Sequence, residues 1–417
     1  MNAFDYKDGW LYAEEVPVRA LAERYGTPLY VYSRSHLLAR YHAIEFAMRE
    51  VSPSIHYAVK ANSNGAVIAT LASAGAGADV VSGGELFRAR RAGVPADRIV
   101  FAGVGKTEAE IEYALREGIL YFTVESEPEL ERISRVAARL NRTGRVAVRV
   151  NPDVDPKTHK FTSTGKKENK FGVDIERAEK AYALAAGLPG IEIAGLHMHL
   201  GSPLADEQPY VEALDKVAPV CAALKARYPA FRHLDIGGGY GIAYKPEQPE
   251  FDLQRFADAV VPRLQRIGLN VGMEPGRFIV GNAGILVTTV QYVKDNPLKE
   301  FVIGDAAMND LIRPALYGSY HHVVAVKKTA QTFTGDLVGP VCESGDFIAQ
   351  GHRLPAVAQG DLLAILGAGA YGYAMSSNYN SRPRAAEVMV YGARHERVRE
   401  REAMDDLVRG ETLPAWE

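Results

Sequence analysis

A chain of 417 residues is too long for one ordinary core, so two domains are expected, and one of them can be a large α/β barrel. With 47% hydrophobic and 24% charged residues, the composition is that of a folded globular protein and excludes a disordered or linker-rich scaffold. The net charge of −3 is spread among interspersed charges, so no basic stripe invites nucleic acid or anionic lipid, and small molecules are the expected partners.

Two cysteines, Cys221 and Cys342, are too few for a disulfide framework and point to a reducing compartment. The stretch Met1 to Asp8 lacks the basic-then-apolar layout of a signal peptide, and no apolar run reaches spanning length. A cytoplasmic protein with no membrane partner is expected.

In chain order, residues 1–33 read as a lead-in: Leu29–Tyr32 alternates like a strand, and Ser33 can cap the helix after it. Helical spacing of Leu37, Leu38, Tyr41, Ile44 and Phe46 follows, and then the strand Ile55–Val59. Further strands are expected at Ala78–Val81, Ile99–Ala102, Tyr121–Val124, Val146–Val150, Ile191–His197, His233–Ile236 and Asn270–Met273. Helical stretches separate nearly all of them, among them Gly84–Ala92, Glu108–Glu117, Glu127–Leu140, Ile175–Ala186, Tyr210–Arg227 and Phe251–Ile267. Strands alternating with helices imply parallel pairing through right-handed crossovers, and eight such units match a (β/α)8 barrel of the TIM type, placed at 34–283. After Gly281 the pattern turns to β-branched and aromatic runs without regular helices, such as Ile285–Val293, Glu300–Ile303, His322–Lys327 and Leu362–Leu366. The fold class is therefore α/β, with 284–417 a C-terminal β-sandwich or β-barrel-like domain that 1–33 joins through Leu29–Tyr32. The charged tail Arg397–Glu402 reads as a solvated helix face.

In such a barrel the active site forms where the strands end, so the residues after each strand are the candidates. They are Lys60 after the first strand, Asp79 in or after the second, and His199 after the sixth. Gly237-Gly238-Gly239-Tyr240-Gly241 follows the seventh, and Glu274-Pro275-Gly276-Arg277 the eighth. A lysine at a strand end either snorkels to solvent or sits there to react, for instance as a Schiff-base amine. The glycine run lets backbone amides approach a phosphate, and three consecutive glycines are rarely spent on a plain turn. Gly367-Ala368-Gly369-Ala370-Tyr371-Gly372 fits the dinucleotide fingerprint, but no helix of adequate length follows it, so it reads as a decoy. His197 and His199 alternate on one strand face and could serve a metal, yet no third ligand is evident and none is expected. The alternatives are a core histidine for His197 and a ring-stacking imidazole for His199. Lysine, phosphate cradle, stacking base and carboxylate together describe a pyridoxal phosphate site.

The motifs Tyr57-Ala58-Val59-Lys60-Ala61-Asn62, Ser163-Thr164-Gly165 through Lys170-Phe171-Gly172, His197-Met198-His199-Leu200-Gly201-Ser202, Gly237 to Gly241, Glu274 to Arg277, Arg313-Pro314-Ala315-Leu316-Tyr317 and Cys342-Glu343-Ser344-Gly345-Asp346 stand in order along the chain. On them the chain resembles the alanine-racemase-like (fold type III) pyridoxal phosphate decarboxylases. The resemblance implies that Lys60 binds the cofactor covalently, His199 stacks on its ring and Glu274 pairs with the ring nitrogen. Asp79, Ser202, Gly238, Gly239, Gly276, Arg277 and Tyr371 complete the cofactor site, most of them at the phosphate. Arg277, Arg313, Tyr317, Glu343 and Tyr371 are the implied substrate contacts. Cys342 and Glu343 reach the site from a partner subunit, so a homodimer is expected.

The implied reaction is decarboxylation of meso-2,6-diaminopimelate to L-lysine, the last step of lysine biosynthesis. Cys342 is the candidate acid that returns a proton to Cα, since Cys221 lies in the helical run Val217–Leu224 and reads as core. The rival is a decarboxylase of ornithine, lysine or arginine, whose substrates lack the second carboxylate that Arg313 and Tyr317 would bind. A catalytically dead, partner-binding homologue is disfavoured by the intact Lys60 and Cys342. A metal-dependent barrel hydrolase using His197 and His199 lacks its other ligands.

Overall fold

The computed structural model describes residues 3–155, 170–297 and 299–416. Two compact units emerge, Leu38–Ile242 with Pro249–Ile279, and Met1–Leu37 with Ala243–Gln248 and Val280–Glu417.

The first unit is a closed barrel of parallel strands: β1 Ser54–Ala58, β2 Gly77–Val80, β3 Ile99–Phe101, β4 Tyr121–Val124, β5 Gly144–Asn151, β6 Ile191–His197, β7 His233–Asp235 and β8 Asn270–Met273. Each pairs with the next, and β8 closes on β1 through Gly272↔Ser54 and Met273↔Ile55. All eight expected strands are present, with ends displaced by no more than two residues. The two-residue strand Val173–Asp174 adds to β5. β3 and β4 are buried along their whole length, as strands covered on both faces must be, which is why they read as unbroken apolar runs.

The crossover helices obey local rules. Glu127–Arg139 buries Leu130, Ile133, Val136 and Ala137 on one face, and each of the larger three is worth about 1.5–3 kcal/mol of transfer from water. Glu108–Glu117 starts in a capping box between Thr107 and Glu110 and stops at Gly118 in the left-handed region. Gly65–Ser73, between β1 and β2, takes its cap from Asn64.

The second unit is β-rich. Its larger sheet runs in the order Phe347–Pro355, Thr332–Val338, Lys299–Gly304, Gly284–Asn296, Leu29–Ser33, Ala386–Tyr391, Arg394–Arg399. Leu362–Ile365 pairs with Gly284–Asn296 and with Val323–Ala325. Leu29–Ser33 does cross the chain into this sheet, antiparallel to Gly284–Asn296 and parallel to Ala386–Tyr391. Phe4–Lys7, Trp10–Ala13 and Val16–Pro17 form a small meander, and Leu11, Leu21, Leu29, Val31, Ile285, Val287 and Val388 belong to one core. The Oγ of Ser33 accepts from the His36 N–H at 3.1 Å, the cap read from the sequence.

Two expectations need correction. The charged tail is not a helix face: Arg394–Arg399 is an edge strand, and Arg399 pairs with the fully buried Glu387 while its neighbours keep the open edge charged. The region after Gly281 is also not free of helix, since Arg313–Tyr317 and Met404–Leu407 are short helices. No helix among the described residues is long and apolar enough to cross a membrane.

Candidate active site

β1 gives way to one 3-10 turn, Val59–Ala61, and that turn rather than the strand carries Lys60. Lys60 neither hides nor snorkels away: its side chain keeps 39% exposure while Nζ lies 2.5 Å from Oδ2 of the fully buried Asp79 on β2. The other oxygen of Asp79 has no hydrogen-bond partner among the described residues.

Across the barrel His197 ends β6 and Asp235 ends β7, with Glu274 just beyond β8. His197 Nε2 is 3.1 Å from Glu274 Oε2, whereas Glu274 Oε1 and His197 Nδ1 are buried without a hydrogen-bond partner among the described residues. Burial pushes the Glu274 carboxyl up to about 8, with the charge of Asp79 acting the same way and Lys60 and Arg149 opposing. Asp235 is pushed up to about 7 by burial and by Glu274, although His197, the Gly237 N–H at 2.8 Å and the Tyr121 hydroxyl at 2.9 Å all favour its anion. Burial lowers His197 to about 4, so it is a neutral imidazole whose Nε2 shares a hydrogen bond with Glu274.

His199 lies past the strand. Its Nδ1 accepts from the Gly238 N–H at 3.1 Å, and burial holds it well below the usual imidazole range, leaving a neutral ring with its proton on Nε2. The metal alternative changes accordingly: the ligand-type atoms that cluster, within 4.8 Å, belong to His197, Asp235 and Glu274, and His199 is not among them.

The glycine turn has a structural reason as well as a chemical one. A Cβ on Gly238 would stand 2.0 Å from the Glu274 carbonyl oxygen, and one on Gly239, at φ +113°, 2.1 Å from that of Gly201. The loops after β6, β7 and β8 thus interlock backbone to backbone. Glu274 N–H donates to Gly237 O at 2.8 Å, and Leu204 N–H to Gly239 O at 2.8 Å. Gly276 packs against Ala58 and Ala61, and Arg277 Nε points to Ser202 Oγ at 3.4 Å. Lys60, Asp79, His199, Ser202, Gly238, Gly239, Glu274, Gly276 and Arg277 therefore share the C-terminal mouth of one barrel.

The remaining candidates belong to the β-rich unit. Arg313 and Tyr317 open and close one short helix, and Arg313 is buried. Tyr371 sits at φ 57°, in the left-handed region that a side chain occupies at a cost of about 1–3 kcal/mol. The Gly367–Gly372 run leads directly into one 3-10 turn, Tyr373–Met375, and not into a long helix. Cys342 and Glu343 are exposed; the Cys342 N–H donates to Asn380 Oδ1 at 2.8 Å, and Glu343 takes a hydrogen bond from the Tyr379 hydroxyl. Cys221 is core, its thiol pushed up to about 12 by burial. Residues 163–169 of the motif ending at Gly172 lie outside the described residues.

The model of the pyridoxal-dependent decarboxylase, pyridoxal binding domain, matches residues 34–281. Diaminopimelate decarboxylase of Aquifex aeolicus is 48% identical over 97% of this chain and 96% of its own. The chain belongs to the diaminopimelate decarboxylases. The Pseudomonas aeruginosa member is 49% identical over 99% of both chains. The crystal structure of the M. jannaschii member in complex with L-lysine superposes with a TM-score of 0.93 at 37% identity, covering 99% of this chain and 98% of that one.

For this member of the family, sequence reasoning missed four groups at the same barrel mouth. Glu125 follows β4, receives Arg149 Nη1 at 3.0 Å on one oxygen and the Gly172 N–H at 2.8 Å on the other, and Arg149 lies over the Phe171 ring. Asp235 and Tyr121 are the third and fourth. The strand-end rule would have found Glu125 and Asp235 had it been applied to every strand; Arg149 and Tyr121 lie within strands and give no such signal.

Proposed function

We propose that the protein is a pyridoxal 5'-phosphate-dependent carboxy-lyase that converts meso-2,6-diaminopimelate to L-lysine and carbon dioxide, the final step of lysine biosynthesis. The observation that carries this is the likeness to diaminopimelate decarboxylases over nearly the whole chain. The barrel fits the cofactor on its own terms: Glu274 Oε1 is a buried oxygen without a hydrogen-bond partner among the described residues, the atom a ring N–H requires, and His199 offers a neutral imidazole suited to lie on an aromatic face.

Lys60 supplies the amine that binds the cofactor's aldehyde, and Asp79 holds that amine in place. Glu274 takes the ring nitrogen, fixed from behind by His197. Ser202, Gly239, the Gly276-Arg277 backbone and Tyr371 would bind the phosphate, with Gly238 beside them holding His199. Arg277, Arg313 and Tyr317 take the distal carboxylate, with Glu343 and Tyr371 beside it. When bound, the cofactor takes up the electron pair released as the Cα–carboxylate bond breaks. Carbon dioxide leaves, and Cys342 of the partner subunit transfers its Sγ proton to that carbon before regaining one from solvent. The exposure of Cys342, Glu343 and Ser344 supports their reaching into a second copy, and hence a homodimer. The domain limits 34–283, against 1–33 with 284–417, are supported by the matched residues 34–281. An enzyme making a biosynthetic amino acid is read as cytoplasmic.

The test is carbon dioxide release by the cofactor-loaded enzyme from meso-diaminopimelate and from L-lysine. Release from the first alone is expected. Equal turnover of both, or of neither, refutes the assignment.

A further inference from the structure

The arginine assigned to the distal carboxylate is itself gripped by neutral groups. Gly318, at φ +62°, ends the helix Arg313–Tyr317 and folds the chain back beneath it, which brings Ser319 and His321 to the Arg313 side chain. Arg313 Nη1 is 2.9 Å from His321 Nε2, and Nη2 donates to Ser319 Oγ at 3.3 Å. The Tyr244 ring lies 5.0 Å from the guanidinium carbon, and meets the His321 ring edge-on at 5.5 Å.

His321 is fully buried, and its partners fix its proton. A guanidinium N–H can only donate, so Nε2 must offer its lone pair; the Leu366 carbonyl, 2.9 Å from Nδ1, can only accept, so Nδ1 carries the hydrogen. The imidazole is therefore neutral, in one tautomer, and tied to the backbone beyond the strand Leu362–Ile365. Holding an arginine still removes up to about 2 kcal/mol of rotamer freedom before any ligand arrives. A carboxylate could hold it equally well, but would also cancel the charge a ligand carboxylate needs. An imidazole nitrogen, a hydroxyl and a ring face hold it without doing so.

We propose that His321 is the positioning residue that makes Arg313 a receptor for the substrate's distal carboxylate, with Ser319 and Tyr244 completing the cradle. The proposal rests on the reading of Arg313 given above. It assigns to His321 the choice between ligands that carry that carboxylate and otherwise equal ligands that lack it.

The probes are L-lysine and cadaverine, which differ only by the carboxylate, titrated calorimetrically into the cofactor-loaded enzyme. His321→Asn keeps an amide N–H for Leu366 but removes the acceptor facing Arg313; His321→Gln can return an oxygen to the Nε2 position. His321→Asn should weaken L-lysine about 10-fold, equivalent to about 1.4 kcal/mol, and leave cadaverine within about twofold. His321→Gln should recover most of the loss, and with meso-diaminopimelate the KM of His321→Asn should rise more than kcat falls. Equal weakening of both ligands, no weakening of either, or a His321→Gln as damaged as His321→Asn overturns the proposal. Arg313→Ala, run alongside, should erase the preference for L-lysine. If Arg313→Ala erases it and His321→Asn does not, the positioning role alone falls; if Arg313→Ala leaves it intact, the distal-carboxylate reading falls and takes the proposal with it.

Discussion

Lowering the pH from 8 to 6.5 should stabilise the cofactor-free protein, and Glu274→Gln should remove the largest single share of that gain. Burial raises the folded-state pKa of Glu274 to about 8 and of Asp235 to about 7, so in this window the folded chain takes up protons that the unfolded chain, titrating near 4, does not. Stability from a raised pKa is lost as pH rises through the folded value, so it grows as pH falls from 8. For one carboxyl at about 8 the gain over this window is about 1–2 kcal/mol, and Asp235, Glu85 and Asp310, each pushed up to about 7 by burial, add smaller amounts in the same direction. The window stops at 6.5 because His56 and His197, both depressed to about 4, act in the opposite sense below the ordinary imidazole value. The assay is calorimetric melting of the cofactor-stripped enzyme across the window, where a shift of roughly 2–4 °C per kcal/mol is expected for a unit of this size. A melting temperature that is flat or rises with pH, or a Glu274→Gln variant with the wild-type slope, would refute the buried neutral carboxyl.

Lys60→Met should abolish turnover and the cofactor's bound absorbance, and should lower apoenzyme stability by about 1–3 kcal/mol, because it strands the buried Asp79; the estimate is discounted for the exposure of Lys60. Adding Asp79→Asn should restore stability but not activity, and a double variant no more stable than Lys60→Met counts against the pair. Arg313→Ala should raise KM for meso-diaminopimelate by 10-fold or more, about 1.4 kcal/mol, with a smaller change in kcat; an unchanged KM removes Arg313 from the substrate site. Co-refolded Lys60→Ala and Cys342→Ala chains should regain activity in roughly a quarter of all sites, because in a mixed dimer one site carries both lesions and the other none. No recovery despite subunit exchange, shown with differently tagged chains, places Cys342 outside its partner's site.

The barrel was legible because its strands are short, largely apolar stretches bracketed by helical spacing, and because Lys60 and Glu274 just past their strands and Asp79 near the end of its own are polar residues where only a mouth tolerates them. The tail was misread because Arg397-Val398-Arg399-Glu400 has no apolar period of either kind; what makes Arg394–Arg399 a strand is its pairing with Ala386–Tyr391, a long-range fact that no local window contains. Arg149 and Tyr121 were invisible because a polar side chain inside a strand shows nothing of which way it points until the register is known. His321 escaped notice because its importance lies in Leu366, 45 positions later, which decides its tautomer. The glycine run was read as a phosphate cradle, yet the contacts at Gly238 and Gly239 show that close backbone packing would demand those glycines with or without an anion.

Burial keeps the histidines at the barrel mouth neutral against the pull of the neighbouring carboxylates, and burial together with a local surplus of acid strains the carboxyls toward protonation. Asp79, Glu125, Asp235 and Glu274 are all buried, and Lys60 and Arg149 are the cations paired with the first two of them. Glu125 is already committed to Arg149 and Asp79 to Lys60, so Asp235 and Glu274 share the surplus. One way to relieve such a surplus is to retain a proton, which is what a carboxyl at about 8 does at neutral pH. Another is to admit a cation. A basic aromatic nitrogen at Glu274 Oε1 does both, taking the proton and remaining beside the anion it creates. His197 could not fill that role, because burial holds it near 4 and its Nε2 already faces Oε2. The surplus acid is therefore matched to a ring that must be kept protonated, and Glu274→Gln, which keeps the shape and removes the surplus, should leave the cofactor bound but poorly able to accept electrons.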